Sequence, residues 1–229
     1  MIYPFVSVFI GGKKILMKFD KKIDKKYRKS VEDAFQTIIE KGNDFHREVI
    51  NDILGSNMLV RAKPVSEINA SGNTGLISSI ATNLRLKSGR MSLQDALGEI
   101  CITIAQETID TGGQQGCEGT FVHEGRHAYD FAQTLASFSN SDINPLGIFN
   151  PTLYDLEWEA HQSGGKYMLC TNQQSYIDEG LQLMLLGQAA DGTYFVSDDG
   201  IKKRLHDSYG LALDGNQGPL ASQMMGLIV

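Results

Sequence analysis

The sequence predicts an α+β fold, in which a small mixed sheet packs on helices. Three observations support this class: two β-rich runs at the N-terminus, helical spacing of apolar residues over residues 30–54, and strand-like alternation over residues 100–104. The 229 residues contain no repeat and no long linker, and this length suffices for one sizeable core. We therefore treat residues 1–229 as a single domain, with residues 1–70 as a candidate N-terminal lobe.

The composition is that of an ordinary globular protein with a mild acidic excess. Apolar residues make up 41% and charged residues 21% of the chain, which disfavours disorder, collagen and coiled coil. The formal net charge of −6 argues against a dedicated nucleic-acid binder. The apolar start lacks a basic residue before it, and no uncharged apolar run reaches about 18 residues. We expect a protein that is cytoplasmic as synthesised, without a membrane partner, and whose export would use a leaderless route.

The first 60 residues predict a hairpin followed by two helices. Two β-rich runs flank Gly11-Gly12, a pair that readily adopts the positive φ angles of a tight turn, so residues 3–19 form the hairpin. Two apolar stripes follow in residues 30–54, separated by Gly42-Asn43. His46 lies beside the second stripe with no further ligand three or four residues away, so we interpret it as a packing or surface residue.

The middle of the chain predicts two strands joined by polar segments. Residues 58–65 form a short strand, in which Pro64 indicates a sheet edge. Residues 68–75 are polar and Gly-rich and predict a loop. The alternation in Ile100–Ile104 predicts a further strand, and residues 111–116 predict a flexible connector.

The C-terminal third carries turn signals but no further binding motif. Asp191-Gly192 and Asp198-Asp199-Gly200 bracket a short run, Thr193 to Ser197, and both predict hairpin turns. The chain contains no phosphate-binding P-loop, no GxGxxG after a strand and no calcium loop.

An HExxH sequence, HEGRH, begins at His123 within a helical apolar pattern, and Thr120 is its candidate N-cap. Residues i and i+4 lie on one helix face, with Cβ atoms about 5–6 Å apart. His123 and His127 can therefore bind one ion, at Zn–N distances of about 2.0–2.1 Å. Glu124, one step round the helix, is placed to reach water bound to that ion.

The third ligand must come from elsewhere in the chain. A catalytic zinc takes three protein ligands and leaves one position for water, and no HxxGxxH pattern continues after His127. Asn150-Pro151 predicts the start of a second helix. On it Glu157 shares a face with Ala160 and Gly164, whose small size allows close approach to the first helix. Glu157 is the preferred third ligand. The alternatives are His161, Glu159 and Asp155.

These two elements resemble those of gluzincin-type zincin metallopeptidases, in which HExxH on one helix is completed by a Glu from a later helix. The run EWEAH from Glu157 fits the first four positions of the second element, and HEGRHAYD, which ends at Asp130, resembles the HExxHAxD of bacterial effector and toxin peptidases. The match covers residues 118–165. The resemblance implies a zincin-like fold with a catalytic core in residues 100–170, where a small mixed sheet packs on the HExxH helix and on a second ligand-bearing helix.

The resemblance also implies the chemistry. Zn²⁺ held by His123, His127 and Glu157 would activate water, with Glu124 as the general base of peptide hydrolysis. We expect Ile100–Ile104 to be an edge strand that pairs with the extended substrate. A further donor usually stabilises the oxyanion. The candidates for this donor are Tyr154, Tyr167, Tyr176, Tyr209 and His206.

Two departures from the gluzincin pattern concern the surroundings of the metal. His161 stands where many gluzincins carry an Asp that orients a zinc histidine, which makes Asp130 another candidate for that role. Gly125 follows the catalytic Glu directly. A mid-helix Gly costs about 1 kcal/mol, which indicates close packing or a neighbouring strand at this point.

Three functions are open on the sequence alone. The first is a zinc metallopeptidase acting on a peptide or protein, deployed as a bacterial effector or toxin with a secretion-system or immunity partner. The second is a zinc amidase acting on cell-wall peptides. The third is a non-catalytic binding protein whose HExxH helix is idle.

Overall fold

The computed structural model describes residues 5–10, 12–142, 144–172, 184–212 and 217–228. The strands are β1 (Phe5–Ile10), β2 (Lys13–Phe19), β3 (Leu59–Lys63), β4 (Gly72–Leu76), β5 (Ile100–Ala105), β6 (Leu186–Gln188) and β7 (Tyr194–Val196). The helices are α1 (Lys25–Lys41), α2 (Asp44–Gly55), α3 (Val65–Ile68), α4 (Ser79–Ser88), α5 (Leu93–Leu97), α6 (Gln106–Ser139), α7 (Leu153–Thr171), α8 (Asp198–Tyr209) and α9 (Ala221–Met224), with a 3₁₀ turn at Pro145–Gly147. The predicted α+β class and small mixed sheet are confirmed.

The first two strands and helices follow the sequence prediction. β1 and β2 pair antiparallel, with Ile10 opposite Lys13, and Gly12 takes the positive φ of +73° that the turn needs. The break between α1 and α2 falls at Gly42-Asn43, because the Asn43 side chain accepts a hydrogen bond from the His46 N–H and caps α2. Apolar side chains of both helices lie in the same hydrophobic core as those of α6.

The five-stranded sheet has the order β1-β2-β3-β5-β4, and this order contradicts three expectations. β5, expected at an edge, is internal, and all six of its residues are buried. The edge is β4, which lies largely within the Gly-rich stretch expected to be a loop. Its sequence has few apolar side chains and gives no strand signal. The strand forms because its backbone pairs with β5. β3 is also internal, since Pro64 lies just past its end and therefore costs no ladder hydrogen bond.

The HExxH helix is longer than expected. α6 begins at Gln106, so the predicted connector at residues 111–116 is largely helical and Thr120 is not an N-cap. Gly113, with φ +59° and ψ −152°, makes the only non-helical step inside it. The segment before this kink is fixed to α1, because the Tyr27 hydroxyl donates to Asp110 at 2.8 Å.

α7 and α8 also begin at residues other than those predicted. Thr152 caps α7 and forms a capping box with Asp155, so the helix starts two residues after Pro151. Asp191-Gly192 makes the predicted turn between β6 and β7. Residues 198–200, however, form the first turn of α8 and not a hairpin turn, because Ser197 accepts a hydrogen bond from the Gly200 N–H as N-cap.

No helix in the described part of the chain is both long enough and apolar enough to cross a membrane.

Candidate metal centre

The two helices α6 and α7 bring the three preferred ligands together. His123 Nε2 lies 3.1 Å from His127 Nε2 and 3.4 Å from Glu157 Oε2, and His127 Nε2 lies 3.4 Å from Glu157 Oε1. Four tetrahedral ligands at about 2.0–2.1 Å from a zinc ion are separated from one another by about 3.4 Å. The donor atoms of His123, His127 and Glu157 therefore have the spacing of ligands around one ion.

His161 also points into this site. Its Nε2 lies 4.0 Å from Glu157 Oε2, and its ring centroid lies 4.8 Å from that of His123. Ligand atoms of His123, Glu157 and His161 all lie within 4.8 Å of one another, so this group can hold a metal ion. The two candidate triads share His123 and Glu157 and differ in whether His127 or His161 completes them.

The other two alternatives for the third ligand have different partners. Asp155 caps its own helix, as described above. Glu159 lies 3.2 Å from Nη1 of Arg126, which also donates from Nε to Asp130 at 2.9 Å. Neither carboxylate is placed with the histidines, because both lie on other faces of α7 than Glu157.

The charges of the site suit a cation. Burial alone would raise the pKa of the Glu157 carboxyl, but the contacts with His123 and His127 outweigh burial and lower the pKa well below its usual range. Burial lowers the pKa of His161 to about 3, with a smaller contribution from the charge of His123. Burial opposes protonation of His127 as well, but its contacts with Glu157 dominate and raise its pKa.

Three buried polar atoms at the site lack a hydrogen-bond partner among the described residues. They are Nδ1 of His127, Oε2 of Glu157 and Nε2 of His161. A buried donor or acceptor without a partner costs about 1–3 kcal/mol, and a bound ion would satisfy the last two. Imidazole nitrogens with one carboxylate are a donor set that Zn²⁺ accepts. The residues therefore fit this metal.

The side chain of Glu124 extends from α6 toward the edge strand β4. Its Oε2 accepts a hydrogen bond from the Thr74 hydroxyl at 2.7 Å, and its side chain is buried. Gly72 lies so close that a Cβ there would stand 2.8 Å from Glu124 Cγ and 2.9 Å from Oε1. The expected general base is therefore held by β4, the strand that the sequence had not predicted.

Backbone groups of β4 face outward beside Glu124. Ala105 N–H donates to Ser71 O at 2.9 Å, and Ile77 N–H donates to Glu99 O at 2.8 Å, which fixes the phase of the β4–β5 ladder. Alternate residues of an antiparallel strand direct their N–H and C=O groups to opposite sides. The groups of Gly72, Thr74 and Leu76 consequently point away from β5, toward the side of β4 on which no described strand pairs.

Of the candidate oxyanion donors that the structure describes, Tyr209 lies beside the candidate metal ligands. Its ring centroid lies 6.0 Å from that of His161. Burial of its hydroxyl and the negative charge of Glu157 raise the pKa of Tyr209. Tyr209 has no priority among the candidates in the sequence, because residues 198–200 predict a turn there and not α8, the helix that carries Tyr209.

Tyr154, Tyr167 and His206 have other partners. Tyr154 stacks on Trp158, and the Tyr167 hydroxyl donates to buried Glu118 at 2.8 Å. His206 is exposed and contacts Asp207 at 3.1 Å. Tyr176 lies outside the described residues.

Gly125 and His46 both serve the packing of the site. A Cβ on Gly125 would stand 3.3 Å from Val49 Cγ1, so the close packing predicted there is confirmed, and the neighbour is the helix α2. His46 is a buried packing residue that accepts from Asn43 N–H through Nδ1 and contacts Ser163 O through Nε2 at 3.0 Å. It thereby joins α2 to α7.

No protein-family model, curated protein or solved structure matches this chain significantly.

Proposed function

We propose that this protein is a zinc-dependent peptidase of the zincin type, with Zn²⁺ held by His123, His127 and Glu157. The observation that carries the proposal is the convergence of donor atoms from two helices, with separations of 3.1–3.4 Å. Zn²⁺, when bound, would lower the pKa of a coordinated water to about 7 and polarise the scissile carbonyl.

Glu124 is the proposed general base. Its carboxylate takes a proton from the attacking water and returns it to the leaving amine, a role that contributes typically 10²–10⁴-fold to the rate. The hydrogen bond from Thr74 to Oε2 at 2.7 Å supports this role, because it holds the carboxylate in one orientation beside the ligands. Tyr209 is the proposed donor to the oxyanion, supported by its proximity to Glu157.

The proposed substrate is an extended peptide that pairs with β4. The outward backbone groups of Gly72, Thr74 and Leu76 provide donors and acceptors for such a strand, as in other cases of strand addition to a sheet edge. A peptide bound there runs directly past the side chain of Glu124. The strand proposed to pair with the substrate is therefore β4 and not Ile100–Ile104, for which the sequence predicts this pairing.

Thr74 allows this substrate contact to be tested separately from the orientation of Glu124. Thr74→Val removes the hydroxyl, and Thr74→Pro also removes the outward N–H without breaking the ladder to β5. We expect KM for a peptide to rise further in Thr74→Pro than in Thr74→Val. Equal KM values in the two variants would contradict strand pairing at this position.

The function itself is tested with metal analysis and product sequencing. The purified wild type, Glu124→Gln and the matched control Glu159→Gln are incubated with a proteome extract, and new peptide N-termini are sequenced. We expect about one zinc per chain in all three proteins, and new termini with the wild type and the control only. Absence of zinc in the wild type would refute the metal site. Zinc without any new termini would favour the cell-wall amidase, which digestion of purified cell-wall peptides then tests, or an idle HExxH helix.

A further inference from the structure

His161 differs from an ordinary buried histidine. Its side chain is 9% exposed and its Nε2 has no hydrogen-bond partner among the described residues. His46, which has a packing role, uses both of its ring nitrogens, with Asn43 N–H and Ser163 O as partners. Buried polar groups are normally satisfied, so the unpartnered nitrogen of His161 indicates a partner other than the described residues, such as a bound ion.

The position of His161 Nε2 beside Glu157 and His123 indicates that this partner is a metal ion. His161 Nε2 lies 4.0 Å from Glu157 Oε2, and ligand atoms of His123, Glu157 and His161 lie within 4.8 Å of one another. His161 follows Glu157 by four residues on α7, the same spacing that separates His123 from His127 on α6. Each helix therefore presents two donor side chains on one face, and the two faces meet around Glu157, whose carboxylate lies within 4.0 Å of a ring nitrogen of each of the three histidines.

We propose that His161 is a fourth protein ligand of the metal held by His123, His127 and Glu157. The inference rests on the proposed function for the existence of that ion and adds the composition of its ligand set. Three imidazoles and one carboxylate would complete the donor set of a tetrahedral ion such as Zn²⁺.

The distances single out His161 among the four residues. Its 4.0 Å separation from Glu157 exceeds the about 3.4 Å expected between tetrahedral ligands, whereas the three other measured separations are 3.1–3.4 Å. His161 is thus the outlying member of the set.

The experiment counts ligands and measures metal affinity in the full-length protein. Wild type, His161→Ala, His161→Gln and the matched control His206→Ala are loaded with Zn²⁺ or Co²⁺. X-ray absorption of the zinc forms gives the number of imidazoles, visible absorption of the cobalt forms reports the coordination number, and competition with a chelator gives the affinity. His206 is an exposed histidine outside the site, so its variant controls for the loss of a histidine. The wild-type spectrum alone suffices if a His161 variant fails to fold.

We expect three imidazoles in the wild type and in His206→Ala, and two in both His161 variants. Metal affinity should fall at least tenfold in the His161 variants, since even residues outside the ligand set contribute 10–100-fold. The visible absorption of Co²⁺ should change in both His161 variants and stay as in the wild type in His206→Ala, because only the His161 variants lose an imidazole from the ion. Two imidazoles in the wild type, with unchanged affinity in His161→Ala, would overturn this inference and leave the proposed function intact. Absence of metal from the wild type would overturn both.

Discussion

Substitution of Gly72 tests the contact between the edge strand β4 and the HExxH helix. A Cβ at this position would stand 2.6 Å from Thr120 Cγ2, 2.8 Å from Glu124 Cγ and 2.9 Å from Glu124 Oε1. Cβ atoms in proteins essentially never approach other heavy atoms closer than 3.0 Å. Gly72→Ala must therefore push β4 away from α6 or move the side chains of Thr120 and Glu124.

The expected cost follows from this overlap. Overpacking by a single carbon costs about 1–3 kcal/mol, and for a chain of this size 1 kcal/mol corresponds to about 2–4 °C in Tm. We expect Gly72→Ala to lower the free energy of unfolding by about 1–3 kcal/mol and Tm by roughly 2–12 °C. Hydrolysis should fall as well, because displacement of the Glu124 carboxylate by 1 Å can cost 10²-fold.

Gly75 provides a matched control on the same strand. A Cβ there meets nothing within 4 Å, so Gly75→Ala should leave stability unchanged or raise it by about 0.4–1 kcal/mol through the unfolded state. Urea denaturation of the wild type and both variants, followed by circular dichroism, measures the difference. Equal midpoints for Gly72→Ala and Gly75→Ala would refute the close approach of β4 to Glu124.

Three further predictions concern the oxyanion donor, the support of a ligand and the pH dependence of stability. Tyr209→Phe should lower kcat about 10²–10³-fold without changing zinc affinity; an unchanged kcat would remove Tyr209 from the mechanism. Asp130→Asn should weaken zinc binding about 10–100-fold, because Asp130 Oδ1 and His127 Nδ1 are both buried, about one helical turn apart, and neither has a hydrogen-bond partner in the described part of the chain; chelator competition measures this, and wild-type affinity would contradict it. Burial lowers the pKa of His46 to about 4 from its ordinary 6.5, so the proton binds preferentially to the unfolded chain. The stability that neutral His46 contributes is present above about pH 6.5 and is lost as the pH falls toward 4, by up to roughly 3 kcal/mol. His46→Gln should flatten the pH profile of unfolding in that window, and an unchanged slope would show that another group is responsible.

The N-terminal elements were predictable because their signals are local. The hairpin turn needs Gly12, whose φ is +73°, and α2 begins where Asn43 can cap it. His123, Glu124 and His127 were predictable for the same reason, since their relative positions follow from the geometry of one helix. Glu157 was predictable as the third ligand from the helical periodicity of α7. That periodicity assigns Glu157 to one face of the helix, but it does not show which other helix packs against that face.

The errors in the sheet have one physical cause, which is the pairing of segments distant in sequence. Ile100–Ile104 alternates like an edge strand, yet β5 is covered on both sides by β3 and β4. Residues 72–76 contain two glycines and carry no strand signal, and the ladder with β5 gives them their order. Tyr209 could not be singled out because the Asp-Asp-Gly run before it is equally compatible with a turn and with the first turn of a helix.

The sequence by itself determined the α+β class, the HExxH pair and the face of α7 that bears Glu157, because each depends on periodicity within one segment. Only the tertiary structure decided which strand borders Glu124, that Tyr209 reaches the site, and that Nε2 of His161 is buried beside Glu157 with no partner among the residues described. These facts depend on how α6, α7, α8 and β4 pack together. Packing positions side chains by contacts between remote segments, and local propensity contains no information about those contacts.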